Sequence, residues 1–254
     1  MALVGGAATG IGRACAEALA RDGARVVLAG RTAETLEAAA LAIGDLGREK
    51  AAWQAHDFSD PASAASAVAE VVARFGSLDV LVLNAGGPPP GGVLDVTDDQ
   101  WRSAFDLLVL GPLALARAAL PGMAARGFGR VIVVTSTAVR QPQPDLALSV
   151  VLRSSMTAAA KLLSREYAAQ GVTVNCVAPG PVATRRRADI LASRAQRRGT
   201  TDTEEDAEDV QLVPAGRAAR AEEVAAVVAF LASRAASYVN GSVVTVDGGR
   251  TETA

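Results

Sequence analysis

Short runs rich in Val, Ile and Leu alternate along the chain with longer Ala-rich segments. The apolar runs are Ala2–Val4, Arg25–Ala29, Ala51–Ala55, Asp79–Leu83, Arg130–Thr135, Val172–Val177 and Ser242–Val246. Most are apolar at consecutive positions, the pattern of strands covered by helices on both faces. Helices are predicted between them near 10–22, 33–46, 61–75, 98–125, 147–170 and 221–233. The punctuation agrees. Asp60-Pro61 offers a side-chain cap followed by Pro at the first helical position. Thr97-Asp98-Asp99-Gln100 matches a capping box. Gly23, Gly76 and Gly171 each follow a helical run, where left-handed backbone is wanted. Repeated β-α-β units predict an α/β fold: one Rossmann-like, doubly wound domain with a parallel seven-stranded sheet flanked by helices. No linker-like stretch or internal repeat divides residues 1–254, so the whole chain reads as a single domain.

Composition narrows the picture. Half of the 254 residues are apolar but only 4% are aromatic, so alanine and valine must do most of the packing. A formal net charge of −2 gives no field for nucleic acid or an anionic membrane. No apolar run approaches the roughly 20 residues needed to cross a bilayer. The N-terminus enters Ala2-Leu3-Val4 without a basic leader, so no signal peptide is expected. Cys15 and Cys176 lie far apart in apolar stretches and read as buried free thiols, which favours a cytoplasmic location. The lone histidine, His56, excludes a histidine-rich metal site and makes a histidine-based triad a poor fit; no metal is expected. One compositional break runs from Arg185 to Val213. It holds Arg185, Arg186, Arg187, Arg194, Arg197 and Arg198, then Asp202, Glu204, Glu205, Asp206, Glu208 and Asp209. The arginines could attract an anionic substrate such as a thioester carrier, or the two halves could form a solvated, self-neutralising helical pair.

Gly6, Gly10 and Gly12 follow the first strand and open the first helix. Gly6 allows a tight turn, Gly10 lets backbone approach a pyrophosphate, and Gly12 lets helix pack on strand, with the helix N-terminus supplying N–H groups. Alone, such a turn is a weak signal; between a strand and a helix, and before a second strand, it reads as a dinucleotide site. The second strand ends at Ala29-Gly30-Arg31, without the acidic residue that would grip the 2′-hydroxyl of NAD. Arg31 suits the 2′-phosphate of NADP(H) by bidentate hydrogen bonding, and NAD(H) is the less favoured cofactor.

With these landmarks the chain resembles the short-chain dehydrogenase/reductase family over essentially its whole length. Gly6-Ala7-Ala8-Thr9-Gly10-Ile11-Gly12 is similar to the family's glycine motif, with Gly5 where threonine is usual. Asp57-Phe58 resembles its adenine-contacting pair, and Asn84-Ala85-Gly86 its signature beneath the adenine ribose. Pro179-Gly180-Pro181-Val182-Ala183-Thr184 resembles the loop around the nicotinamide, and Val246-Asp247-Gly248-Gly249 the closing strand. The resemblance implies an Asn-Ser-Tyr-Lys catalytic tetrad, a substrate lid near 185–213, and a homotetramer built on the helices at 98–125 and 147–170, which are rich in Ala and Leu on more than one face.

Carried over residue by residue, the tetrad fails at most positions. Ser136 matches the serine. The tyrosine position falls on Ser149, the lysine position on Arg153, and the asparagine position on Leu108. A phenol begins near pKa 10 and is lowered by the lysine, whereas a serine hydroxyl is a far weaker acid. It also ends roughly 4 Å short of the phenol oxygen. Arg153 keeps its charge and cannot relay protons as lysine can. Leu108 cannot hold a relay water. A cation one turn from a hydroxyl survives, able to bind an anion or a polarised carbonyl; Arg153 could equally contact the cofactor ribose. Tyr167 and Tyr238 fall off the catalytic position and read as structural or cofactor-shell residues. The loop Gly86-Gly87-Pro88-Pro89-Pro90-Gly91-Gly92 should wall the pocket, and resembles one found in a divergent branch of the family that also lacks the tyrosine. Three functions stay open: an NADP(H)-dependent oxidoreductase acting on a small-molecule or carrier-linked carbonyl or alcohol, a nucleotide-binding protein without turnover, and a recruited non-redox enzyme such as a dehydratase, isomerase or cyclase.

Overall fold

The computed structural model describes residues 1–44, 46 and 51–253. The strands are β1 (Ala2–Gly5), β2 (Val26–Gly30), β3 (Ala52–Ala55), β4 (Val80–Leu83), β5 (Gly129–Val134), β6 (Val172–Pro179) and β7 (Val243–Val246). They form a seven-stranded sheet in the order β3-β2-β1-β4-β5-β6-β7, every neighbouring pair parallel. Several ends shift from the predicted runs because pairing, not apolarity, sets them. Gly5 faces Ala29, Gly30 faces Ala55 and Pro179 faces Val246 across the ladder, so all three belong to strands.

The helices are α1 (Gly10–Arg21), α2 (Ala33–Gly44), α3 (Ala64–Phe75), α4 (Asp98–Phe105), α5 (Gly111–Ala125), α6 (Ala147–Tyr167), α7 (Arg185–Arg198), α8 (Asp202–Gln211) and α9 (Ala221–Ala232). Alternate strand residues feed two cores, which explains the apolar run on both faces. Val4, Leu28 and Val82 pack with α1, α2 and α9; Leu3, Val27 and Leu81 pack with α3, α5 and α6. Position 45 of the helix expected over 33–46 lies outside the described residues. The expected caps are present. Asp60 accepts from the Ala62 N–H at 3.1 Å, though the turn it opens, Pro61–Ser63, is a 3-10 turn leading into α3. Thr97 and Gln100 form the reciprocal capping box. Gly23, Gly76 and Gly171 have φ of 88°, 83° and 74°.

One expectation needs correction. The helix expected over 98–125 is continuous but not uniform: a π-turn, Asp106–Leu110, joins α4 to α5. Its 28 residues, with a mean hydropathy of 1.6 in the most apolar window, are long and apolar enough to cross a membrane by length and composition, although half of that window is buried inside the fold. The sequence reading missed this because Asp106 and Arg117 interrupt the apolar residues. The compositional break at 185–213 is a helical pair, as one of its two readings has it: α7 and α8, divided by left-handed Gly199 and a Thr201–Glu204 capping box. Cys15 and Cys176 are buried free thiols, pushed up to about 12 by burial.

Candidate active site

A cleft of about 620 Å³ opens at the carboxyl ends of the central strands, where the strand order reverses between β1 and β4. Backbone builds one end. Gly6 and Gly10 lie in the left-handed region, with φ of 57° and 56°. A methyl group on Gly6 would sit 2.8 Å from the Asn84 carbonyl oxygen, so that strand end closes against the turn. Asn84 also donates from Nδ2 to the Gly5 carbonyl at 3.1 Å. Gly12 does not line the cleft; a methyl there would overlap the Gly6 carbonyl oxygen, so its work is helix–strand packing. Thr9, Gly10 and Ile11 open α1 toward the cleft. Gly5 replaces threonine for a visible reason: the Phe58 ring would stand 2.5 Å from any Cβ there. Phe58 is 5% exposed and meets His56 edge-on.

Arg31 lines this end together with Thr32 and Thr35, two hydroxyls the sequence reading did not single out. Asp57 sits beside them. Hydrogen bonds from Ser59 hold its carboxyl below the ordinary range against a small burial effect, and the Arg31 charge lowers it further. A glycine cradle that a Cβ would fill, a helix N-terminus and an exposed guanidinium beside two hydroxyls fit a dinucleotide carrying a 2′-phosphate. Asn84, Ala85 and Gly86 line the middle, and Pro179, Gly180, Val182 and Thr184 the far wall.

Side chains build the other end. Ser136, Ser149 and Arg153 all reach the same cleft. The Ser136 Oγ accepts from the Ala138 N–H at 3.1 Å, which leaves its own proton to donate elsewhere. Arg153 donates from Nε to Ser149 Oγ at 3.2 Å and from Nη1 to the Val134 carbonyl at 2.8 Å. Burial, and then the like charge of Arg186, push Arg153 down to about 10, so it remains a cation at neutral pH. Leu108 is 3% exposed and packs with Leu148 and Leu152, so that side is dry. Tyr167 and Tyr238 stand outside the cleft; Tyr167 packs on a core and Tyr238 is fully exposed, which removes a cofactor-shell role for both.

The 86–92 loop is tied down. The Gly91 N–H donates to the Asp145 carbonyl at 2.7 Å, and the Ala147 N–H to the Gly91 carbonyl at 3.1 Å. The Pro88 carbonyl accepts from Arg186. The arginine-rich and acidic halves of 185–213 do neutralise one another, partly in solvent, as in Arg198–Glu208, and partly inside the molecule, as in Arg187–Asp209. Arg187 pairs with Asp206 and with Asp209 at 2.8 Å, and Arg198 with Glu205 and Glu208 at 2.9 and 2.7 Å. Glu205 and Asp209 are 3% and 8% exposed. Arg194 holds Asp145 at 2.5 Å and Arg250 holds Asp209 at 2.7 Å, which fastens both helices to the body. Arg186 and Gln143 also line the cleft. The charge run hid Arg186, because composition does not say which of its members turn inward.

The enoyl-(acyl carrier protein) reductase family matches residues 6–251. The chain belongs to the short-chain dehydrogenase/reductase family. It is 38% identical to cis-4-hydroxycyclohexanecarboxylate dehydrogenase of Sinomonas cyclohexanicum, covering 99% of this chain and 96% of that one. It is 34% identical to the 3-oxoacyl-acyl-carrier-protein reductase FabG of Escherichia coli strain K12, over 98% and 96% of the two chains. Among solved structures, L-sorbose reductase from Gluconobacter frateurii, complexed with NADPH and L-sorbose, superposes with a TM-score of 0.93 at 31% identity, over 100% of this chain and 97% of that one.

Proposed function

We propose that the protein is an NADP(H)-dependent oxidoreductase that reduces a carbonyl, or oxidises the matching alcohol, without the phenol and ammonium usual in its family. NADP(H) is the cofactor, in keeping with Arg31 at the end of β2 and with the relatives, which include an NADPH-bound reductase. The relatives act on a hydroxycyclohexanecarboxylate, a carrier-linked 3-oxoacyl group and a sugar, which supports a small-molecule or carrier-linked carbonyl substrate. The observation that carries the reading is Arg153, hydrogen-bonded to Ser149 and facing the same cleft as the glycine cradle.

Bound NADPH supplies the hydride. Arg153 is held by hydrogen bonds to the Val134 carbonyl and Ser149, so its charge is positioned before substrate arrives. The Ser149 Oγ accepts from Arg153 and the Ser136 Oγ accepts from backbone, so each keeps a proton to donate. One cation and two hydroxyls stabilise the oxygen that gains negative charge as the carbonyl is reduced. Neither serine is acidic enough to surrender its proton, so the proton reaching that oxygen comes from water in the cleft. Leu108 closes the route by which a buried water chain would deliver it.

Residues 1–254 serve as one nucleotide-binding domain in this reading, with α7 and α8 as the substrate lid. The chain acts as a homotetramer in the cytoplasm. Phe105 and Leu110 near the π-turn, and Val151 and Leu162 on α6, are exposed apolar side chains on the helices that would pair. A monomeric mass by light scattering would remove the tetramer.

The test is single-turnover oxidation of bound NADPH against a panel of carbonyls. Arg153→Ala is expected to slow turnover about 10²–10³-fold with NADPH affinity unchanged. A loss confined to NADPH affinity would make Arg153 a ligand of the cofactor ribose instead. A wild type that binds NADPH but fails to oxidise it with any carbonyl of the panel would favour nucleotide binding without turnover, the reading that the missing phenol also suggests.

A further inference from the structure

We propose that Arg186 is the specificity residue for a carboxylate carried by the carbonyl substrate; the proposal rests on the oxidoreductase reading above. Four of the six α7 arginines are already committed. Arg187, Arg194, Arg197 and Arg198 hold Asp206, Asp209, Asp145, Glu205 and Glu208. Arg186 has no carboxylate in hydrogen-bond contact among the described residues. Its Nη2 donates to the Pro88 carbonyl, and its guanidinium lies over Gly87, where a methyl group would overlap it. Glycine at 87 therefore makes room for this side chain, and the 86–92 wall aims it into the cleft.

The charge balance of the cleft points to an anion. Arg186 and Arg153 both line it, close enough that the charge of Arg186 depresses Arg153. The acidic lining residues are Asp57, at the Arg31 end, and Asp209, already held by Arg187 and Arg250. Burial pulls Arg186 down as well, and Asp189, exposed on the same helix, offsets only part of that. A half-buried guanidinium without a contacting carboxylate is costly until an anion completes it. A carboxylate matches its planar fork with two parallel hydrogen bonds. The phosphates of the cofactor have their own donors in the α1 N-terminus and Arg31, so Arg186 is not needed for them. A short oxo acid would place its carboxylate on Arg186 and its carbonyl among Arg153, Ser149 and Ser136.

The experiment titrates the NADPH-loaded protein by calorimetry with short 2-oxo and 3-oxo acids, each beside its methyl ester, and follows NADPH oxidation by the same compounds. The acids are expected to bind about tenfold or more tightly than their esters. Arg186→Gln should bring each pair to within about twofold while leaving NADPH affinity unchanged. Asp189→Asn, which keeps the guanidinium and removes its nearest competing charge, should move acid affinity the other way, about twofold tighter. Equal binding of acid and ester to wild type would overturn the proposal. So would an Arg186→Gln that weakens NADPH as much as it weakens the acid, because Arg186 would then be a diphosphate ligand. NADPH oxidation without acid preference would leave the reductase reading and remove the carboxylate site; acid preference without oxidation would do the reverse.

Discussion

At the Gly6–Gly12 end of the cleft the walls are main chain, and an added carbon has nowhere to go. At the Arg153–Arg186 end the walls are side chains, Arg153 held by Ser149 and the Val134 carbonyl and Arg186 by the Pro88 carbonyl. The first end admits little variation without moving strand β1 against helix α1. The second can be rewritten at less cost to the sheet, because Ser149 bonds to Arg153 and Arg153 hydrogen-bonds to β5 through the Val134 carbonyl alone among the described residues. One fold can thus keep its nucleotide and change its chemistry.

The sharpest test rewrites the side-chain end and leaves the other alone. Ser149→Tyr with Arg153→Lys should recover less than about tenfold in carbonyl reduction. Adding Leu108→Asn should release more of the 10²–10⁴-fold that general-acid catalysis typically contributes, roughly speaking. NADPH affinity should stay constant across the series by fluorescence titration; a full recovery by the double variant alone would show that buried Leu108 does not matter. The reverse test breaks the main-chain end with one carbon. Gly12→Ala must push its methyl into the Gly6 carbonyl, and overpacking of about 1–3 kcal/mol should cost roughly 10- to 100-fold in NADPH affinity and lower Tm. A Gly12→Ala protein that binds NADPH normally would contradict the division between the two ends.

Arg31→Ala is expected to weaken NADPH about tenfold or more and to leave NADH untouched. Equal losses for both nucleotides would detach Arg31 from the 2′-phosphate. The smallest effect concerns pH. Burial raises the Asp209 carboxyl, but Arg250 and Arg187 outweigh it, and Arg194 does the same for Asp145, so both sit below the ordinary carboxylate value. Depressed carboxylates stabilise the folded state above the unfolded pKa of about 4 and lose that contribution as pH falls through the lower folded values. Protection factors in α7 and α8, corrected for the intrinsic pH dependence of amide exchange, should therefore be flat between neutral pH and about 5 and fall below about 4, ahead of the central strands. A lid that opens no earlier than the sheet would deny these pairs their fastening role.

Legibility followed the same division. Gly6, Gly10 and Gly12 were readable because backbone conformation restricts the residue type, and strand runs were readable because each feeds two cores. Ser149 and Arg153 could be placed only by their interval from Ser136, and their hydrogen bond followed from their spacing of four. Arg186 was not legible as a pocket residue. Five other arginines share its segment, and what separates it is a contact with Pro88, nearly a hundred residues away in the chain. Helices α7 and α8 were legible as a self-neutralising pair from the charge run, but their bounds and their anchoring to Asp145 and Arg250 were not.

The π-turn at Asp106–Leu110 bears on how this chain tolerates changes in length. Such a turn holds one residue more than the α-turn it replaces, and each residue advances the helix by about 100°. The segment therefore behaves as an absorbed insertion: the phase set by α4 is reset before α5 begins, and Leu115 and Leu120 meet the sheet in the reset phase. Removing one residue from 106–110 would restore a regular α-turn and leave those leucines facing the core they fill, whereas regularising the turn without a deletion would rotate them off it by about 100°.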